Sequence, residues 1–240
     1  MKRESFGSRL GFILVSAGCA IGIGNVWKFP YICGAYGGAA FILIYLCFLV
    51  ILGIPVLVAE FAVGRGSHTS VAKCFDKLAP AGSCWKPLKF IGIIGCYMLM
   101  MFYTTVGGWM IYYCVKSLRG DFVGATPEAV TQSFSDMLGN APTMMLWMVI
   151  ICLIGFAVCF MGLQNGIEKI SKVMMSALLI IMVILAVHSV MMEGAGEGIS
   201  FYLIPDFQKI KEAGVGNVVF AALSQSFFTL SIGIGAMLIF

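Results

Sequence analysis

The sequence contains few charged residues. Only 11% of its 240 residues are Asp, Glu, Lys or Arg, whereas 60% are hydrophobic and the mean hydropathy is +1.00. About 25% of the residues of a soluble domain are charged. The composition therefore excludes an ordinary soluble domain and indicates a membrane protein.

The sequence also lacks the residue patterns of metal clusters and enzymes. None of its nine cysteines forms a C-x-x-C pair, so no cysteine-ligated metal cluster is expected. The apolar runs hold no paired carboxylates and no His/Cys or Ser/His constellation, and we therefore expect no enzyme. His68 and His188 lie near the ends of apolar runs without an acidic or cysteine partner at useful spacing, which favours structural roles.

Six apolar runs are each close to the ~20 residues that a helix needs to cross a bilayer. They cover about residues 10–32, 39–62, 90–115, 143–162, 173–192 and 217–240. We expect a single transmembrane domain over residues 1–240. It is expected to be incomplete, because the last run reaches Phe240 without a polar or basic flank. The three longer connections, 64–89, 116–142 and 193–216, are expected to be loops.

Lysine and arginine are distributed unevenly over the connections. If the N-terminus is cytoplasmic, the inner connections carry ten of these residues and the outer connections carry four. The positive-inside rule then predicts a multi-pass protein of the plasma (inner) membrane with a cytoplasmic N-terminus. The excess of lysine and arginine in the inner connections accounts for the net charge of +4. The expected partner is therefore the lipid bilayer, and no nucleic acid is expected.

Glycines and polar residues interrupt two of the six runs. The first run contains Gly18, Gly22, Gly24 and Asn25, and the sixth contains Gly233 and Gly235 beside Gln225, Thr229 and Ser231. Glycine weakens a helix, and unwound backbone at membrane depth is tolerated where it lines a cavity. Paired interruptions of this kind predict unwound spans and a midplane site for ions or small polar solutes. The alternative is that the glycines permit close helix packing.

Three polar side chains in the runs each have two interpretations. Glu60 is either an interface charge paired with Arg65 or backbone, or a functional intramembrane acid. Lys28 either extends to the outer interface or acts as a gate. Tyr103 is either a packed aromatic or a substrate ligand.

The order of motifs along the chain resembles the neurotransmitter:sodium symporter family, and more narrowly the N-terminal portion of a bacterial-like, LeuT-type member. The matching motifs are Gly18-x-Ala-x-Gly-x-Gly-Asn25, Trp27-Lys-Phe-Pro-Tyr31, Gly37-Gly-Ala-Ala-Phe41, Gly53-Ile-Pro with Glu60 and Arg65, Phe102-Tyr103, Gly166-Ile-Glu-Lys169, and Gln225 to Gly235. The resemblance implies an all-α LeuT-type fold, made of the first five-helix repeat and the start of the inverted second repeat. It also implies sodium-coupled symport by alternating access.

The resemblance implies roles for particular residues. Sodium ligands are expected at Gly18, Ala20, Ile21, Asn25 and Thr229. Substrate contacts are expected at Ala20, Gly22, Ile23, Gly24, Leu99, Tyr103, Phe228, Thr229, Ser231 and Ile234. Gates are expected at Arg3, Lys28, Tyr103 and Phe228, and a chloride region at Tyr45 and Gln225, with chloride dependence left open.

One position narrows the expected substrate. Family members that carry amines have an acid where this sequence has Gly22, so the resemblance implies an amino acid that brings its own carboxylate. The apolar Ile23, Leu99 and Ile234 favour a neutral, hydrophobic or aromatic side chain. The alternative is a truncated, non-transporting half-transporter or assembly partner. The oligomeric state stays open, with a homodimer as one option.

Overall fold

The computed structural model describes residues 7–22 and 24–239 of the chain. Twelve α-helices are described in these residues: α1 Arg9–Ala20, α2 Phe29–Ala35, α3 Ala39–Phe48, α4 Ile54–Ser67, α5 Val71–Leu78, α6 Leu88–Arg119, α7 Pro127–Gly139, α8 Ala141–Phe160, α9 Lys169–Val190, α10 Ala195–Leu203, α11 Phe207–Ala213 and α12 Val215–Leu230. Three π-helical turns lie at Gly24–Lys28, Leu49–Gly53 and Leu163–Glu168.

Four helical segments of the described residues are long and apolar enough to cross a membrane. They are Ala39–Ser67, Leu88–Arg119, Ala141–Phe160 and Leu163–Val190. The number rises to six if each of two bent helix pairs, α1 with residues 24–35 and α11 with α12, is counted as one span. The chain is therefore a multi-pass membrane protein.

The first predicted span is broken. Ser8 caps α1, because its hydroxyl oxygen accepts a hydrogen bond from the N–H of Gly11 at 2.9 Å. The helix ends at Ala20, and helical structure resumes with the π turn at Gly24–Lys28, which leads into α2. Residue 23 lies between these parts and outside the described residues.

The sixth predicted span is also interrupted. α12 ends at Leu230, and Ser231 follows in the left-handed conformation with φ of 52°. Residues 231–239 continue without regular helix, and Gly233 and Gly235 have φ of 94° and 76°. Glycine is favoured at such positions because it has no side chain to clash with the backbone.

The chain divides into two compact units. The first consists of the described residues up to Ile93 together with those from Glu168 onward. Its core lies between α2, α3, α11 and α12 and includes Cys33, Ala40, Phe41, Val218 and Ala222, which are all fully buried. This packing places the broken first span beside the end of α12.

The second unit is Ile94–Ile167. In it, α6 and α8 approach closely at Gly108, where an added Cβ would lie 2.9 Å from the backbone nitrogen of Met148. The α7 helix packs with the C-terminal half of α6 through Phe134 and Trp109, whose ring centroids are 5.9 Å apart.

Candidate functional site

Three oxygen-bearing groups from the two broken spans meet in the first unit. Asn25 lies in the π turn after the break, and its side-chain Nδ2 donates to the carbonyl of Ala20 at 3.0 Å. The hydroxyl of Thr229, the second-last residue of α12, donates to Asn25 Oδ1 at 3.1 Å. A residue at the end of α1, one after the break and one on α12 are thus joined in a single cluster. The resemblance implies sodium ligands at these three residues, and that role stays a prediction.

A buried glutamine connects this cluster to the backbone of the break. Gln225 is 1% exposed, and its Nε2 donates to the carbonyl of Gly24 at 3.2 Å and to the hydroxyl of Thr229 at 3.4 Å. Its Oε1 has no hydrogen-bond partner among the described residues. Tyr45, the other residue of the predicted chloride region, is 8% exposed in the same core and packs against Phe29, with ring centroids 5.0 Å apart.

The two unwound segments also contact each other directly. The hydroxyl of Ser231, the first residue after α12, donates to the carbonyl of Cys19 at 2.7 Å. One of the last carbonyl groups of α1 therefore has a partner from the other broken span, where continuing helix would otherwise have supplied one.

A phenylalanine ring lies against the break. No Cβ fits at Gly24, because it would overlap the ring of Phe228. The ammonium group of Lys28 lies 5.4 Å from the centroid of the same ring, within the range of a cation–π interaction. Phe228 and Lys28, two of the predicted gate residues, are thus brought together beside Gly24.

Glu60 lies on α4, and its partners could not be identified from the sequence. Its carboxylate accepts hydrogen bonds from the backbone N–H groups of Gly233 at 2.6 Å, Gly235 at 3.4 Å and Met237 at 3.2 Å. Sequence analysis left backbone open as a partner, but not which backbone. The acid satisfies N–H groups that the unwound segment leaves without helical partners.

A cavity of about 240 Å³ lies next to Glu60. Its lining is mostly apolar and includes Val56, Val71, Ile91 and Ile234. Ile234, predicted to contact the substrate side chain, therefore borders an apolar space in the first unit.

The remaining predicted residues are not all assembled in this way. Leu99 and Tyr103 lie on the part of α6 that belongs to the second unit. Gly18 lies near the end of α1 beside Met175 of α9, and Ile21 and Gly22 lie in the break. Arg3 and Ile23 lie outside the described residues.

The donor set of the cluster limits its chemistry. Ala20, Asn25 and Thr229 offer neutral oxygen atoms, and no group of three or more His, Cys, Asp or Glu in the described part of the chain could hold a metal ion. Oxygen donors suit hard cations, whereas transition metals prefer nitrogen and sulfur. A site built from neutral oxygens fits a monovalent cation better than a divalent one, because it supplies no compensating negative charge of its own.

Broken spans that bring backbone carbonyls, an amide and hydroxyl groups together are typical of membrane transporters with discontinuous helices. A sequence model of the Sodium:neurotransmitter symporter family matches residues 3–128 and 128–240. The chain belongs to this family.

Two relatives and one solved structure describe the similarity further. The uncharacterized sodium-dependent transporter YhdH of Bacillus subtilis is 36% identical over 236 residues, which are 98% of this chain and 51% of the relative. The sodium-dependent serotonin transporter of Drosophila melanogaster is 29% identical, over 98% of this chain and 42% of the relative. The crystal structure of MhsT in complex with L-phenylalanine matches with a TM-score of 0.88 and 36% identity, over 99% of this chain and 53% of that one.

The chain spans about half the length of these relatives. The findings confirm the predicted family and the all-α LeuT-type fold. Sodium dependence is indicated by the names of the family and of its members.

Proposed function

We propose that this chain takes part in sodium-coupled symport of a neutral amino acid by alternating access. The observation that carries the proposal is the cluster of the Ala20 carbonyl, the Asn25 amide and the Thr229 hydroxyl across two broken spans. In the structure these groups are joined by hydrogen bonds. To bind sodium, the Asn25 amide would turn its Oδ1 toward the Ala20 carbonyl and the Thr229 hydroxyl would turn its hydrogen away, so that three oxygen atoms would face one cation. Ala20, Asn25 and Thr229 would bind one sodium, and the carbonyls of Gly18 and Ile21 a second.

The substrate would be hydrophobic or aromatic. Gly22 leaves space, without negative charge, where a carboxylate-bearing substrate can approach, and the similar transporter MhsT was crystallised with L-phenylalanine. Tyr103 would donate its hydroxyl to the substrate carboxylate, and Phe228 would cover the pocket.

Direct binding measurements test the cation site. Asn25→Ala removes the side-chain oxygen and should weaken sodium binding by about ten- to a hundredfold, the range expected when a ligand to a charged group is lost. Asn217→Ala is the matched control, because Asn217 is an exposed amide that donates to Ala213 at 3.1 Å, away from the cluster. Sodium titration of both variants by isothermal calorimetry gives the comparison, and equal affinities would reject the site.

Competition for uptake defines the substrate class. Leucine, tyrosine, tryptophan and phenylalanine should inhibit uptake, and lysine and glutamate should not. The reverse pattern would rule out a neutral hydrophobic substrate. Tyr103→Phe should reduce the affinity for the amino acid more than the affinity for sodium, because only the carboxylate contact is lost.

Membrane localisation and orientation form part of the proposal. The protein would lie in the plasma membrane with its N-terminus in the cytoplasm. Lysine and arginine are then concentrated in the cytoplasmic connections, as the positive-inside rule requires. We propose transport and not catalysis as the activity. The alternative is a non-transporting half-transporter or assembly partner, and it predicts that sodium titration and uptake both give no signal from the purified gene product.

A further inference from the structure

A buried carboxylate lies in the first unit, away from the cation cluster. Glu168 ends the π turn Leu163–Glu168 immediately before α9, and it is 3% exposed. Neither sodium nor substrate is proposed to contact it. A buried acid needs hydrogen bonds or an ion pair to offset the cost of leaving water. The partners of Glu168 therefore indicate which parts of the chain it joins.

These partners come mostly from the start of the first span. The Glu168 carboxylate accepts hydrogen bonds from the backbone N–H of Gly7 at 2.9 Å and from the hydroxyl of Ser8 at 3.2 Å. It also pairs with the ammonium group of Lys172, one turn along α9, at 2.7 Å. Lys172 donates in addition to the Ser8 hydroxyl at 3.0 Å.

Ser8 makes this pairing part of the α1 helix itself. The same hydroxyl accepts from the N–H of Gly11 and caps the first turn of α1. One oxygen atom therefore links the helix start, the buried carboxylate and Lys172. Displacing α1 from α9 would break the three hydrogen bonds that cross between them, from Gly7 and Ser8 to Glu168 and from Lys172 to Ser8.

Close packing accompanies the hydrogen bonds. No Cβ fits at Gly11, because it would overlap the side chain of Glu168. Two turns further along both helices, an added Cβ at Gly18 would lie 3.2 Å from the sulfur of Met175. The α1 and α9 helices thus run side by side, and the hydrogen bonds of Glu168 and Lys172 lie at the end at which α1 begins.

We propose that Glu168 is a positioning residue that holds α1 against α9. Its hydrogen bonds with Gly7 and Ser8, together with the one from Lys172 to Ser8, are called the clasp. The α1 helix carries the carbonyls of Gly18 and Ala20 and is separated from α2 by the break, so it can move as a unit when its start is released. Holding α1 against α9 keeps those carbonyls in the cation cluster, and releasing the clasp opens the cluster from the α1 side. This consequence for the cluster rests on the proposed function.

Labelling of two native cysteines tests the clasp. Cys19 lies on α1 and Cys33 lies buried on α2. Each is retained as the sole cysteine in the full-length gene product, and the rate of labelling by a membrane-permeant maleimide is measured in proteoliposomes. Glu168→Ala and Gly11→Ala should raise the Cys19 rate about fivefold or more, a change typical of losing a modest stabilising interaction. The Cys33 rate should stay unchanged.

Glu128→Gln is the matched control, because Glu128 is an exposed acid in the first turn of α7. It should change neither rate. Ser8→Ala keeps the carboxylate and removes only the linking hydroxyl, so it should give a smaller rise at Cys19 and serves if the stronger variants do not fold.

An unchanged Cys19 rate in folded, monodisperse variants would overturn the proposal. Equal rises at Cys19 and Cys33 would overturn it as well, because they indicate general loosening and not release of α1. Sodium-dependent uptake is measured on the same samples. Its absence from the wild type would reject the proposed function while leaving the labelling result to decide the clasp.

Discussion

Glu60 shows how one side chain can stabilise an interrupted span. An unwound segment leaves backbone N–H groups without helical partners, and in lipid each such group is costly. The carboxylate of Glu60 accepts from the N–H groups of Gly233, Gly235 and Met237, which succeed one another along the unwound segment. An acid that would be expensive alone in the membrane is thereby satisfied by backbone dipoles.

The first prediction concerns this carboxylate. Glu60→Gln leaves one acceptor oxygen and adds an amide that meets other donors, so we expect the protein to lose about 1.5–3 kcal/mol for each charge-assisted hydrogen bond that breaks. The melting temperature should fall, and sodium should bind more weakly. Glu197→Gln, at an exposed acid of α10, is the control. A melting temperature that falls equally in both variants would contradict this role of Glu60.

Individual residues were predictable from the sequence to different extents. Asn25 and Thr229 could be assigned to one cluster because a glycine-interrupted run marks each of them and the family motif relates the two runs. Glu60 could be assigned only to backbone or Arg65, because the N–H group of Gly233 that donates to it lies 173 residues away and their proximity depends on tertiary packing. Glu168 was noted only as part of a motif, since nothing in the sequence indicates that its carboxylate reaches Gly7.

At the scale of elements, glycine marks both flexible and closely packed positions. Gly24 allows the ring of Phe228 to approach the break, whereas Gly108 lies in continuous helix and allows α6 and α8 to approach. Sequence analysis left packing and unwinding open as alternatives, and both occur in the described residues. The π turn at Leu49–Gly53, just before Pro55, accompanies the missing backbone N–H of that proline.

Two glycine-to-alanine substitutions distinguish the effect of helix–helix packing from the effect of helix propensity. Gly108→Ala would place a Cβ 2.9 Å from the backbone nitrogen of Met148, so the helices must separate, and we expect a net loss of about 1–3 kcal/mol. Gly155→Ala on α8 is the control, because nothing lies within 4 Å of its added Cβ and alanine is the better helix former. Thermal unfolding should show a lower midpoint for the first variant only. Equal midpoints would mean that α6 and α8 do not meet at Gly108.

The connections contain more helix than the sequence suggested. The segments expected to be loops hold α5, α7, α10 and α11. Local signals existed for some of them: Thr126 caps α7 just before Pro127, and Asp206 caps α11 by accepting from Gln208 at 3.0 Å. Their apolar periodicity was too short to distinguish them from loops.

At the scale of the whole molecule, the alternation of apolar and basic segments predicts a topology. In the described residues, four helical segments are long and apolar enough to cross a membrane, or up to six if each bent pair is one span. Packing between distant parts of the chain, including the partners of Glu60 and Glu168, required the structure because sequence spacing carries no information about it.

Labelling from one side of the membrane tests the proposed topology. Cys84 is exposed in the connection between α5 and α6, and Glu128 is exposed at the start of α7. With the N-terminus in the cytoplasm, an impermeant maleimide added to intact cells should label a Glu128→Cys variant and spare Cys84. After permeabilisation Cys84 should react too. Labelling of Cys84 in intact cells would reverse the orientation.

We propose that sodium drives amino-acid movement through this protein. The most direct test is uptake of radiolabelled L-phenylalanine into proteoliposomes of the full gene product, with an inward sodium gradient and with sodium replaced by potassium. We predict saturable uptake in sodium that falls to the level of empty liposomes in potassium. Equal uptake in the two salts would contradict sodium coupling.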